Sequence, residues 1–205
     1  MSQAVNRYFI INKPYNMVSQ FISPDKVGLL AQLDFDFPEG VHAIGRLDKQ
    51  SEGLLILTTN KKVTKLLFQS KIPHKRTYLV QVRDKVSPQN LKKLQTGVTI
   101  KIKRGLDYIT SPCEATIVQK PENLYTREDA YREGLPHTWL LITLTEGKFH
   151  QVRKMVDVIS HRCKRLVRVA IEDLLLGDLL PGQVKEIGEK EFFELLKLDI
   201  MYLTI

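Results

Sequence analysis

The order of its apolar segments constrains the fold of this 205-residue chain most strongly. Segments with the alternation or the β-branched and aromatic content of strands lie at residues 7–12, 54–59, 76–83, 98–102, 113–119, 138–145 and 166–171. Helical spacing lies at residues 62–70, 88–96, 149–159 and 191–198. Because strands and helices mix without strict alternation, the order predicts an α+β fold around a mixed or largely antiparallel sheet.

Local signals mark where some of these elements end. Pro14 cannot donate to a strand ladder, so the first strand should stop there. Ser87 and Pro88 form an N-cap and first-turn proline for the second helix, and Gly97 is its natural stop. Residues 120–137 carry much charge and few aliphatic side chains, which predicts a long exposed loop within one domain spanning residues 1–205.

Composition excludes several classes of protein. A hydrophobic content of 43% is enough for a sizeable core. Cys113 and Cys163 lack CxxC partners, and the five histidines lack ligand-like spacing, so we expect neither a disulfide framework nor a metal site. No apolar stretch approaches a membrane span, and the N-terminus lacks the apolar core of a signal peptide. We therefore expect a cytoplasmic protein without a membrane partner.

Positive charge is concentrated in one part of the chain. The formal net charge is +8, and residues 148–168 contribute seven basic side chains against one aspartate, which is +6 of that total. Within this segment the helical spacing predicts an apolar face and an opposite polar face, namely Phe149, Val152, Val156 and Ile159 against His150, Arg153, Lys154 and Asp157. An outward basic face favours an anionic partner, with RNA or DNA as the best match, and RNA would bind across one outward basic strip that contains Arg153 to Arg168.

The segment of residues 45–53, GRLDKQSEG, opens directly into the apolar run at residues 54–57. Asp48 lies between Arg46 and this buried strand, so its carboxylate would be held ionised at a sheet edge, where a catalytic carboxylate is useful. An ordinary loop ion pair is the structural alternative. Phosphate-binding loops, GxGxxG turns, HExxH and GxSxG motifs are absent, so an aspartate, a strand aromatic and cations remain. These suit rearrangement of a flipped-out nucleoside without a cofactor.

The residues also resemble a known family. The segment GRLDKQSEGLLILT is similar to the GRLDxxSEGLLLLT-like motif of the RsuA-type pseudouridine synthases. The similarity continues in order through IINKPYNMVSQF, KRTYLVQV, EGKFHQVRKM and KRLVRVAI. The resemblance implies a curved mixed, largely antiparallel sheet flanked by helices and loops. Because the matching blocks begin within about ten residues of Met1, we expect no S4 domain.

The resemblance also implies roles for individual residues. Asp48 would be the catalytic aspartate, Tyr78 the aromatic that stacks on the base, and Arg153 the cation that pairs with the Asp48 carboxylate. Arg46 would fill the space left by the flipped nucleotide, and Leu166 would line the pocket. Further substrate-binding residues are expected among the nearby cations, namely Lys75, Lys154, Arg165 and Arg168.

The implied reaction breaks the bond from ribose C1′ to uracil N1 and rejoins C1′ to C5, with no cofactor and no obligatory protein partner. The wording of the blocks is most similar to the branch that modifies large-subunit ribosomal RNA. Judged from their positions alone, Tyr78 is better interpreted as a core tyrosine and Arg153 as a solvated helix residue, and the resemblance reverses both interpretations. The competing functions are a noncatalytic RNA-binding assembly factor and a glycosylase that releases free uracil.

Overall fold

A computed structural model describes residues 5–68, 72–127, 131 and 134–199. Its strands and helices mix along the chain, which confirms the α+β prediction. The strands are β1 Tyr8–Lys13, β2 His42–Ile44, β3 Glu52–Thr58, β4 Arg76–Arg83, β5 Thr99–Lys101, β6 Asp107–Ile109, β7 Glu114–Val118, β8 His137–Leu144, β9 Cys163–Ile171, β10 Leu174–Leu175 and β11 Val184–Ile187. The helices are α1 Lys62–Phe68, α2 Pro88–Thr96, α3 Gln151–Val158 and α4 Glu189–Leu195.

The chain divides into two compact units. The first contains the described residues up to His74 and those from Arg168 onward, and the second is Lys75–Val167. Strand β9 therefore begins in the second unit and ends in the first. One catalytic domain over residues 1–205 stays a prediction. In the described parts of the chain, no helix is long and apolar enough to cross a membrane.

The first unit is built around β1, which pairs antiparallel with β3 and β11. Strand β2 also pairs antiparallel with β3. All seven residues of β3 are buried, which explains its continuous apolar run, because a strand covered on both faces does not alternate. The aromatic rings of α4 pack on β1, with the Tyr8 ring centroid 4.5 Å from that of Phe192 and 5.7 Å from that of Phe193.

The second unit contains the antiparallel order β4, β8, β7 and a separate two-stranded pair of β5 with β6. Its apolar core includes Val80, Leu140 and Val156, each fully buried. The ends of α2 confirm the sequence signals. The Ser87 side chain accepts a hydrogen bond from the Asn90 amide at 3.2 Å, and Gly97 follows the helix with a φ of +100°.

Several element boundaries differ from the sequence predictions, and two of these differences affect candidate site residues. Helix α3 begins at Gln151, so Phe149 precedes it, and the prediction that Phe149 lies on the buried face is wrong: its side chain is 68% exposed. Strand β9 begins at Cys163, three residues before the predicted start. The charged side chains of Lys164 and Arg165 interrupt the apolar pattern on which the prediction was based. Helix α1 extends through Phe68, and its predicted last residue, Ser70, lies outside the described residues.

Candidate active site

Asp48 lies in the loop between β2 and β3 of the first unit, and it is half-buried. The residue before it is held by one buried hydroxyl, because Ser19 Oγ accepts from the Leu47 amide at 2.9 Å and donates to the Leu47 carbonyl at 3.0 Å. The Ser51 amide donates to the Asp48 carbonyl at 2.9 Å. Together these bonds fix the backbone on both sides of Asp48, which is what a catalytic carboxylate needs. Arg46, in the same loop, is exposed.

Gly45 begins this loop in a conformation that favours glycine, with a φ of +71°. A Cβ there would lie 2.7 Å from Cζ of Phe68, whereas a Cβ at Gly40, with a φ of +78°, would have no atom within 4 Å. Gly45→Ala should therefore lose about 1–2 kcal/mol in free energy of unfolding from its backbone alone, plus the cost of moving the Phe68 ring. Gly40→Ala is the matched control, since it carries the backbone cost without the clash.

Chemical denaturation of both variants measures this difference. We expect Gly45→Ala to be the less stable of the two by less than about 1 kcal/mol, because the Phe68 ring is 42% exposed and can move away from the added methyl group. Equal losses in the two variants would show that the Phe68 ring does not constrain the start of the Asp48 loop.

Lys13 is a residue near Asp48 that the sequence reasoning missed. It is fully buried at the end of β1, and its Nζ donates to the carbonyls of Pro14 at 2.7 Å and Met17 at 2.6 Å. Burial lowers its pKa to about 7, although the charges of Glu52 and Asp48 oppose this shift. A buried amine is thus held within the electrostatic range of the Asp48 carboxylate. The signal in the sequence was a lysine that ends an apolar strand directly before a proline.

Tyr78 lies on β4 of the second unit, where it faces Ile142 of β8 in the antiparallel register. It is partly buried and packs against the apolar core of that unit, on the same strand face as the buried Val80 and Val82. Lys75 lies just before β4 and forms an exposed ion pair with Glu114, with Nζ 3.0 Å from Oε1. The structure therefore agrees with a core contact for Tyr78, and its stacking on a base stays a prediction.

Arg153 and Lys154 lie on α3, and both are half-buried. Arg153 Nη1 donates to Sγ of Cys163 at 3.6 Å, so the guanidinium is not simply solvated. Burial raises the pKa of the Cys163 thiol to about 11, against the opposing charge of Arg153. This thiol therefore stays protonated near neutral pH. The Lys154 ammonium lies 5.3 Å from the ring centroid of Phe149.

Two residues of the predicted basic strip are not on the surface. Arg165 is 4% exposed and donates to the carbonyl of Tyr125 at 2.7 Å, and Arg168 is 3% exposed and donates to the carbonyl of Leu54 at 2.8 Å. The expectation of one outward basic strip is therefore wrong at these two positions, because β9 is covered where they lie. Leu166, also on β9, is buried in the core of the second unit. Substrate contacts by these residues stay predictions.

Glu146 holds the segment that leads into α3. Its carboxylate accepts hydrogen bonds from the Tyr108 hydroxyl, from the Ser111 amide at 3.0 Å and from Gln151 Nε2 at 2.6 Å. Burial acts to raise its pKa, but these hydrogen bonds outweigh burial and lower it below the usual range. The carboxylate is thus ionised at neutral pH and ties β8, α3 and the β6 region together.

The described residues contain no group of three or more histidines, cysteines and acids that could hold a metal ion. The candidate catalytic and binding groups are a half-buried carboxylate in a fixed loop, a buried amine close to it, a partly buried tyrosine and half-buried cations. A carboxylate so placed can act as a nucleophile or a base on a nucleoside.

Comparison with known proteins identifies the class. Residues 7–157, a range that includes Asp48, Tyr78 and Arg153, match the family described as RNA pseudouridylate synthase, and the chain belongs to this family. The resemblance to the RsuA-type pseudouridine synthases is confirmed, and the relatives belong to the branch named for the large ribosomal subunit. The chain is 40% identical over 183 residues to Ribosomal large subunit pseudouridine synthase E of Vibrio parahaemolyticus, which covers 88% of this chain and 74% of that protein.

Two further comparisons agree. Ribosomal large subunit pseudouridine synthase E of Xanthomonas axonopodis pv. citri is 35% identical over 174 residues, 84% of this chain and 89% of that protein. A crystal structure of a pseudouridylate synthase superposes with a TM-score of 0.76 at 26% identity, covering 96% of this chain and 76% of that one. The chain is thus an isomerase of the pseudouridine synthase family, with the fold that the sequence predicted.

Proposed function

We propose that this protein converts a uridine of large-subunit ribosomal RNA to pseudouridine in the cytoplasm. The observation that carries the proposal is the similarity to large-subunit synthases over most of the chain, with all three candidate catalytic residues inside the matched family range. The positive charge of the chain, +8, suits a polyphosphate substrate.

Asp48 is proposed as the catalytic carboxylate, with Tyr78 and Arg153 as the other catalytic residues in the roles that the family resemblance gives them. The support for Asp48 is local: its loop is fixed through Leu47 and Ser51, and a buried amine stands in its electrostatic surroundings. The uridine would be flipped out of its helix before reaction, as enzymes that act on a base within a helix require.

The test is incubation of the purified protein alone with large-subunit ribosomal RNA that carries tritium at uridine C5. Isomerisation replaces the C5–H bond with the glycosidic bond, so tritium should enter water in proportion to the pseudouridine formed. Small-subunit RNA labelled in the same way is the control for substrate class. Release from small-subunit RNA alone would contradict the proposed substrate, and release from neither, with folded protein, would contradict the activity.

Two other outcomes would identify the competing functions. Free uracil in the supernatant would indicate a glycosylase, because a synthase retains the base on its ribose. Tight, salt-dependent RNA binding without tritium release would indicate a noncatalytic assembly factor.

A further inference from the structure

Phe149 is a large aromatic side chain in an unusual setting. It lies just before α3 and is 68% exposed, although the helical spacing predicted it inside. A single exposed apolar side chain needs no special explanation in a soluble protein. The argument for a binding role therefore depends on what surrounds this ring.

The ring of Phe149 stacks on its neighbour. The centroids of Phe149 and His150 are 3.8 Å apart, and their planes differ by 18°. His150 has a φ of +55°, a left-handed conformation that few residues other than glycine adopt. The two flat rings are thus held nearly parallel at the surface, with Phe149 presented to solvent.

The backbone that carries these rings is held in place. The side-chain oxygen of Gln151 accepts a hydrogen bond from the Lys148 main-chain amide at 2.8 Å. The main-chain amide of Gln151 donates to the Lys148 carbonyl at 3.0 Å. The Gln151 side chain in turn donates to Glu146, the carboxylate that ties this segment to the β6 region. A ring on such a support loses little freedom when a partner binds, which favours affinity.

A lysine ammonium lies over each of two aromatic rings in this part of the second unit. The Lys154 ammonium lies 5.3 Å from the Phe149 centroid, and the Lys148 ammonium lies 4.6 Å from the ring centroid of Tyr108. An apolar protein partner would favour an anchor ring surrounded by other apolar groups. Aromatic faces flanked by lysines instead match single-stranded nucleic acid, whose bases stack on rings while its phosphates meet the cations.

We infer that Phe149, with Lys148 and Lys154, forms a stacking platform for an unpaired base of the RNA substrate, a nucleotide other than the uridine that reacts. This inference rests on the proposed function for the presence of RNA. It adds a second contact, made by a ring that the family resemblance gives no role. We call these three residues the Phe149 platform.

The experiment measures both RNA affinity and steady-state kinetics for Phe149→Ala, Phe149→Leu and Phe149→Trp. Loss of the ring should raise Kd and KM about 10- to 100-fold, because alanine substitution at a stacked base has effects of that size. The Leu variant should behave like the Ala variant, since it is apolar but has no π face. The Trp variant should stay within about threefold of the wild type, and kcat at saturating RNA should change less than about twofold in all three.

Salt dependence separates stacking from charge. Phe149→Ala should leave the slope of log Kd against log salt unchanged. Lys154→Met should reduce that slope by about 1, the value for one lost phosphate contact. Tyr125→Ala, at an aromatic 46% exposed in the same unit, is the control and should change neither Kd nor the slope. Circular dichroism and thermal melting confirm that each variant is folded.

Several results would overturn the inference. Kd and KM within twofold of the wild type in Phe149→Ala would exclude stacking on RNA, and so would a Leu variant that binds as well as the wild type. A fall in kcat at unchanged KM would show that Phe149 acts on α3 rather than on RNA. Affinity can be measured even if no tritium is released, so failure of the proposed activity and failure of the Phe149 platform are distinguishable.

Discussion

Asp48→Asn should abolish tritium release from C5-labelled ribosomal RNA, with a loss of at least about 1,000-fold in kcat. The substitution preserves the size of the side chain but removes the negative charge that the reaction needs. The hydrogen bonds made by the Ser19 hydroxyl and the Ser51 amide should survive, because both are made to main-chain groups. RNA affinity should stay within about threefold, since phosphate contacts by cations are unchanged.

Asp25→Asn is the matched control, because Asp25 is an exposed loop aspartate of the same unit. Its kcat and Kd should both equal those of the wild type. Tritium release by Asp48→Asn above about one tenth of the wild-type rate would show that Asp48 is not the catalytic carboxylate. A large loss of RNA affinity in a folded Asp48→Asn protein would point instead to a binding role for this side chain.

Lys13 should make the stability of the protein rise with pH above neutrality. Its pKa is lowered to about 7 in the folded state from 10.5, so between these values the unfolded chain binds more protons than the folded one. The free energy of unfolding then increases with pH across this window. At ~1.4 kcal/mol per pKa unit, the gain from this one side chain should be about 2 kcal/mol between pH 7 and pH 9.

The measurement is urea denaturation at pH 7, 8 and 9 for the wild type, Lys13→Met and Lys26→Met. The Lys13→Met protein should lack the rise, because no amine titrates inside it, and should leave two carbonyls without their donor at a cost of about 1–3 kcal/mol each. Lys26 is exposed in the same unit, so Lys26→Met should follow the wild-type curve. Parallel curves for all three proteins would show that Lys13 is an ordinary charged lysine when folded.

The parts of the fold that depend on local chemistry were predictable from the sequence. The ends of α2 follow from Ser87, Pro88 and Gly97, whose effects act within one helical turn. The strand β3 follows from an apolar run with no polar interruption. The segment of residues 45–53, which leads into β3, also located the candidate aspartate, and the Ser51 amide that donates to the Asp48 carbonyl lies within that segment.

The failures concern burial, and their physical origins differ from one residue to the next. The helical period placed Phe149 inside, but α3 starts two residues later and the period does not apply before it. Arg165 and Arg168 looked like solvated charges, yet distant carbonyls, those of Tyr125 and Leu54, accept their hydrogen bonds. Lys13 was overlooked because the carbonyls of Pro14 and Met17 accept its hydrogen bonds only when residues 14–17 fold around the ammonium group.

The two hydrogen bonds between Ser19 and Leu47 join positions 28 residues apart. One hydroxyl satisfies both main-chain groups of Leu47, the residue before the aspartate. The loop that contains Ser19 therefore positions the loop that contains Asp48. A substitution at position 19 would then alter the position of Asp48 and lower activity, although no proposed RNA contact is changed. A search for inactive natural variants should include that serine, although it carries no chemistry of its own.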